Sequence, residues 1–200
     1  MEKEEYFSVH CAVNISLEPL SSEQTLPDRE AFLDEIPPLF RVASECIELE
    51  ENAERELSRY GSEESKSLMK YLSVQNEKIN MLLSFILLQH NATTQRYTTE
   101  AFGAGALTLL IAQRDLLSSK QWQVGSLYRI NIFLDSPAAA VYCYGSITAC
   151  EHISEEQAQI TLRYDLIQEA DRDLLIRAAL HQQQKVLRRR AEARTNTTNK

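Results

Sequence analysis

The chain has 200 residues, 44% apolar and 25% charged, with five Gly and five Pro, which excludes collagen-like, low-complexity and largely disordered chains. Its net charge of −8 is uneven: residues 1–60 hold 15 acids and 5 bases, and residues 61–200 hold 14 acids and 16 bases. An acidic first half argues against nucleic acid as a partner, because phosphate neutralisation needs a concentrated basic face.

The one basic cluster, Arg188, Arg189, Arg190 and Arg194, follows a helical pattern and complements the negative end of a helix dipole. The opening Met-Glu-Lys-Glu-Glu-Tyr is acidic, where a secretory signal needs a basic start and an apolar run. The longest apolar stretch, Met81 to Leu88, is interrupted by Ser84 and falls far short of the roughly 20 residues that span a bilayer. Cys11, Cys46, Cys143 and Cys150 form no CxxC pair and read as reduced, mostly buried thiols. The expected location is the cytoplasm, with no membrane span.

In chain order, Val9, Cys11, Val13, Ile15 and Leu17 alternate with polar His10, Asn14 and Ser16, which predicts a half-buried strand over 8–17. Pro19 and the polar run to Pro27-Asp28 end it. From about Asp28 to Tyr60 the apolar spacing becomes three-and-four through Phe32, Ile36, Leu39 or Phe40, Ala43, Ile47, Ala53 and Leu57. Pro37 and Pro38 place the start of the main helix there, since proline suits a first helical turn. Gly61-Ser62 breaks it, and a second helix is expected over 65–90.

In that second helix Leu72, Ile79 and Ile86 repeat every seven residues. Leu68 and Leu82 fill a second seam position with Gln75 between them, and Met69 and Leu83 a third with Asn76 between them. Over about 25 residues, near 37 Å at ~1.5 Å per residue, so broad a stripe exceeds what a small domain's own core needs. A helical hairpin that self-associates is the expectation, with the polar pair Gln75/Asn76 in mid-seam, a device that fixes register.

Period two returns at Ala106–Ala112, Leu127–Leu134, Ala138–Ala149 and Ala158–Tyr164, with Gly125 and Asp135-Ser136-Pro137 as turns and Gly145 as a bulge or close approach. Ala138, Ala140, Tyr142 and Tyr144 fall on one face of the third of these strands, and Ala139, Val141 and Cys143 on the other. Short strands so closely spaced predict a small antiparallel barrel. A last helix is expected over 169–190, acidic at its start and basic at its end.

Chemistry is scarce. The sequence holds no GxSxG, HExxH or GxxxxGK[ST] pattern, and His10, His90, His152 and His181 are scattered one to a segment. Neither an enzyme nor a metal site nor a cofactor is expected; the chain reads as a binding or assembly protein.

From about Arg96 onward the layout follows a familiar order. Phe102-Gly103-Ala104-Gly105-Ala106-Leu107 leads into a strand, then come Gly125, a strand ending Leu134-Asp135-Ser136-Pro137, and a long strand. Leu162-Arg163-Tyr164-Asp165-Leu166-Ile167 follows, running through Glu169–Leu175 into a helix ending in Gln-Gln-Gln-Lys-Val-Leu-Arg-Arg-Arg. This resembles the bacterial PilZ domain, a six-stranded barrel with a C-terminal helix that commonly binds cyclic di-GMP.

The ligand signature departs from the family. The (D/N)xSxxG motif would fall on Ala101 to Ala106, with Ala101, Gly103 and Ala106 in place of the acid, serine and glycine, and no RxxxR loop precedes it. Losing several contacts of roughly 1–3 kcal/mol each takes a micromolar site to no useful binding. The competing expectation is a true receptor using Arg96, Arg114, Arg129 or Arg188, Arg189 and Arg190 as phosphate partners.

The first half is similar to the tetramer-forming PilZ subclass, in which heptad helices inserted between barrel strands build a bundle. The resemblance implies an α+β fold with a PilZ-like barrel, an inserted helical hairpin and a C-terminal helix. Residues 1–27 would supply a barrel strand and loop, 28–91 the oligomerising hairpin, 92–194 the barrel and last helix, and 195–200 a disordered tail. It also implies a homo-oligomer, tetrameric in that subclass, and a signalling protein as partner.

Overall fold

The structure is a computed structural model that describes residues 8–21, 23–59, 63–90, 95–118, 120–135 and 138–198. The expected turns at Gly61-Ser62, Asn91–Thr94 and Ser136-Pro137 lie outside them. The strands are β1 (Ser8–His10), β2 (Asn14–Pro19), β3 (Arg96–Gly103), β4 (Ala106–Ala112), β5 (Leu127–Asp135), β6 (Ala138–His152) and β7 (Gln157–Leu166). The helices are α1 (Arg29–Glu35), α2 (Pro38–Ser58), α3 (Glu63–His90), α4 (Gln113–Ser118) and α5 (Glu169–Thr198), with a 3-10 turn at Lys120–Trp122.

All strand pairs are antiparallel. The order runs β3-β2-β5-β6-β7-β4, and β4 pairs back onto β3, closing a six-membered barrel. The expected α+β fold, a small antiparallel barrel with inserted helices and a C-terminal helix, is the fold observed.

β1 and β2 lie end to end along one edge of β3, with Val9 opposite Phe102 and Ile15 opposite Tyr97. The strand read as continuous from Ser8 to Leu17 is therefore interrupted at residues 11–13. Thr99 fills the break: its hydroxyl donates to Cys11 O at 2.8 Å and accepts from Val13 N at 3.0 Å. A buried break in a ladder needs such a substitute partner.

Alternation then sorts side chains into two cores. Ile130, Ile132, Val141, Cys143, Ile160 and Leu162 point into the barrel, joined by Leu174, Leu175, Ala178 and Ala179 from the first half of α5. Phe133, Ala140, Tyr142 and Tyr144 point outward and are covered by Phe32, Ile36, Phe40 and Ala43 of the inserted helices. The two faces of β6 are the ones its alternation gave. Phe32 stacks on Tyr142 at 5.8 Å between centroids, and Phe40 meets Phe133 edge-on at 5.9 Å.

Helix boundaries follow local chemistry. Asp28 caps α1 by accepting from Ala31 N at 2.9 Å. Ile36, forced extended by the following proline, ends α1 at ψ 122°, and α2 starts at Pro38. The last helix runs past the expected stop at Arg190 to Thr198, so residues 195–198 of the expected disordered tail are helical. No Gly or Pro follows Arg190, and Ala-Glu-Ala-Arg is a strong helix former.

Candidate functional site

Three places gather the residues singled out by sequence. The first is the outer wall of β5 and β6 beneath α1. Arg129 on β5 donates to Glu18 of β2 at 2.8 Å and to the Tyr144 hydroxyl at 3.2 and 3.3 Å, and lies 3.7 Å from Glu35 of α1. Its guanidinium also sits 5.7 Å from the Tyr144 ring centroid.

Glu35 accepts from Tyr142 at 2.9 Å and from Tyr144 in a short hydrogen bond. Burial works against the arginine's charge, but the bonds to Glu18 and Tyr144 outweigh it and hold Arg129 above its usual value. Burial, then the bonds with Tyr144 and Glu35, pushes the Tyr142 hydroxyl well above the ordinary tyrosine range. The arrangement clamps α1 onto the barrel, engaging the arginine with two carboxylates and a phenol.

The second place is the β3–β4 turn, where the nucleotide signature would lie. Ala101, Phe102 and Gly103 pair with His10, Val9 and Ser8 of β1 on one side, and Ala101 and Phe102 with β4 on the other. Ala101 and Ala104 are buried. Arg172 of α5 donates to Ala104 O at 2.7 Å, and Tyr164 N to Gly105 O at 2.9 Å. The turn is thus held by backbone pairing and by the start of α5.

Asp171, in the first turn of α5, is buried, and this pushes its carboxyl up to about 6 against the lowering effect of a 3.4 Å bond from Gln168. An acid raised on folding is best accommodated protonated, so its contribution weakens as pH rises from about 4 through about 6. Asp171→Asn is expected to stabilise the fold by about 2 kcal/mol at pH 7.5 and by little at pH 4.5. Urea unfolding at both pH values checks this; a difference independent of pH would refute it.

The other arginines do not converge. Arg96 begins β3 opposite Ser16 and shares the outer face with Arg129, one strand removed. Arg114 on α4 is exposed, 3.6 Å from Asp115. Arg188 is exposed on α5, and the side chains of Arg189 and Arg190 lie outside the described residues. Among the described residues no group of three or more His, Cys, Asp or Glu could hold a metal, and no helix is long and apolar enough to cross a membrane.

The third place is α3, which packs on β5, β6 and α2. The structure divides the predicted seam. Leu83 packs into the outer core, and Met69, Gln75 and Asn76 are half-buried. Leu68, Leu72, Ile79, Leu82 and Ile86 stay exposed at 49, 37, 53, 65 and 49%. Tyr71, Val74, Met81 and Phe85, which the heptad reading passed over, are exposed at 62, 44, 72 and 61%.

No family model matches the sequence, and no curated protein matches it. Among solved structures the chain is similar to the Bacillus subtilis inhibitor of motility MotI/DgrA, at 10% identity and TM-score 0.48, covering 92% of this chain and 53% of that one. The chain thus spans about half the length of that protein. It is similar to a pathogenic protein of Xanthomonas campestris described as a tetrameric PilZ domain self-assembled via a helical bundle, at 15% identity and TM-score 0.47, covering 92% of both chains. It is also similar to K. pneumonia MrkH in its apo state, at 14% identity and TM-score 0.34, covering 53% of this chain and 45% of that one.

Proposed function

We propose that this chain is a non-enzymatic PilZ-type signalling protein that acts by self-association and protein contact, with weak or no direct nucleotide binding. Its setting is cyclic di-GMP-linked regulation of motility, surface behaviour or virulence, in the cytoplasm. The observation that carries the reading is the exposed row Leu68, Leu72, Ile79, Leu82 and Ile86 on α3. A soluble monomer rarely leaves so long an apolar strip in water, and a second copy supplies the matching strip.

Two features support the nucleotide part of the reading. Ala101, Gly103 and Ala106 offer no side-chain hydrogen bond, and Arg129 is engaged by Glu18, Glu35 and Tyr144. In light scattering the full chain is expected at a multiple of its 22.9 kDa mass. Ile79→Glu with Leu82→Glu is expected to lower that multiple, and a wild-type mass of one chain would refute self-association. Leu83 is left alone because it holds α3 to the outer core. Titration calorimetry with cyclic di-GMP is expected to give no saturable heat; micromolar binding would instead favour the receptor reading, with Arg96 the first residue to replace.

A further inference from the structure

The helix dipole does not account for the basic cluster on α5. Charge complements a dipole in the last turn of a helix, but α5 runs on to Thr198 and holds no base in its last turn. Residues 180–198 carry Lys185, Arg188, Arg189, Arg190 and Arg194 against Glu192 alone, a segment of +4 in a chain of −8. This segment has also left the barrel. Leu174, Leu175, Ala178 and Ala179 seat the first half of α5 in the core. From Leu180 to Arg188 every side chain is exposed except half-buried Gln182.

Leu180, Val186 and Leu187 are among the exposed residues. At ~100° per residue, Leu180 and Leu187 lie within about 20° of one another, with Gln184 between them. They are on the side of α5 opposite buried Asp171 and Ala178. Arg188 falls on one side of that line, and helical register puts Arg190 and Arg194 on the other. A narrow line of leucine flanked by charge is the layout of a coiled-coil seam, in which the flanking charges choose a partner of the opposite sign. A bilayer surface needs a broad apolar face, whereas Lys185, Arg188, Arg189 and Arg190 fall all round the helix. Leucines offer a phosphate backbone nothing to pair with, and the rest of the chain, with 28 acids and 16 bases, repels a long polyanion.

We infer that the outward side of α5, from Leu180 to Arg194, docks an acidic helix of a second protein. This rests on the proposed role in protein contact and gives that contact a place and a partner chemistry: apolar side chains along one line, Glu or Asp beside it. Charge complementarity selects the occupant. The surface is separate from that of α3, since α5 packs on β1 and β3, and α3 on β5, β6 and α2.

The probe is a fluorescein-labelled helical peptide of about four heptads, with Leu along its seam and Glu on both flanks. It is titrated with the full chain and followed by anisotropy. Saturable binding is expected, and a peptide of equal charge with Ser for every seam Leu is expected not to bind. No binding of the Leu peptide, or equal binding of the two, overturns the inference on the wild-type chain alone. Arg188→Glu and Leu187→Ser alter exposed positions. Each is expected to weaken binding about tenfold, with helical content by circular dichroism unchanged; an unchanged affinity overturns the inference. Tighter binding to a short DNA duplex or to phosphatidylserine vesicles assigns the bases to phosphate and overturns it too. A fall in the light-scattering mass of Leu187→Ser makes the occupant a second copy and does the same. Failure of the peptide leaves self-association through α3 standing; that reading falls only if the wild-type mass is one chain.

Discussion

Replacing Gly145 by alanine is expected to lower the free energy of unfolding by about 3 kcal/mol, a large loss for one methyl group. Gly145 sits at a register shift where β6 crosses β7. A Cβ there would lie 2.4 Å from the carbonyl oxygen of Arg163 and 2.9 Å from Ile130 Cδ1. Ile130 can adjust, but the Arg163 backbone is held by pairing with Ala106 on one side and Ser146 on the other. Relief therefore means moving two strands. Gly125 makes the comparison: its φ of 91° disfavours alanine, but the space is open, so Gly125→Ala should cost only about 1 kcal/mol. Urea unfolding of both variants checks the order; equal losses would show that the close approach is not what demands glycine at 145.

Arg129→Ala is the second large effect, expected to cost about 2 kcal/mol in stability and to leave any nucleotide response unchanged. Without the guanidinium, Glu18 and Glu35 lose their shared cation, and the Tyr144 hydroxyl loses the donor that lies 3.2 Å away. Adding Glu35→Gln to Arg129→Ala should recover part of the loss, since it removes one of the two stranded charges. Strictly additive changes in that cycle would show that the two side chains are not coupled. The same variant separates the two roles open to this arginine: a clamp residue changes the unfolding midpoint, whereas a phosphate partner changes binding and leaves the midpoint alone.

Much of the barrel was legible because its strands carry clean alternation. Ile130, Ile132 and Leu134, or Ile160, Leu162 and Tyr164, can face only one core. β3 was not legible. Its outward positions hold Thr98 and Glu100 and then Ala101 and Gly103, small residues overlain by neighbouring elements, so polarity does not mark the period. The turn from Gln113 to Trp122 was missed because it is short and held by distant partners. Trp122 meets Tyr97 edge-on at 5.5 Å and stacks on Tyr128 at 5.6 Å, and Tyr128 donates to Gln121 O.

The clamp was beyond sequence for the same reason. Glu18, Glu35, Arg129 and Tyr144 come from four elements, and no spacing connects them. The exposed Tyr71, Val74, Met81 and Phe85 of α3 could have been found: Tyr71 and Phe85 are fourteen apart and Val74 and Met81 seven, but Lys78 in the middle hides the period.

One consequence lies in where the helices join the barrel. Ser16 and Arg96 are direct partners across β2 and β3, so the chain leaves the wall and re-enters it at neighbouring points, with α1, α2 and α3 as the excursion between. Loop-closure entropy grows only as the logarithm of length, about 0.6 kcal/mol per doubling. The arm can then lengthen or shorten by whole helical turns without altering strand register. The helical arm is free to change at its own rate, while the barrel keeps its shape.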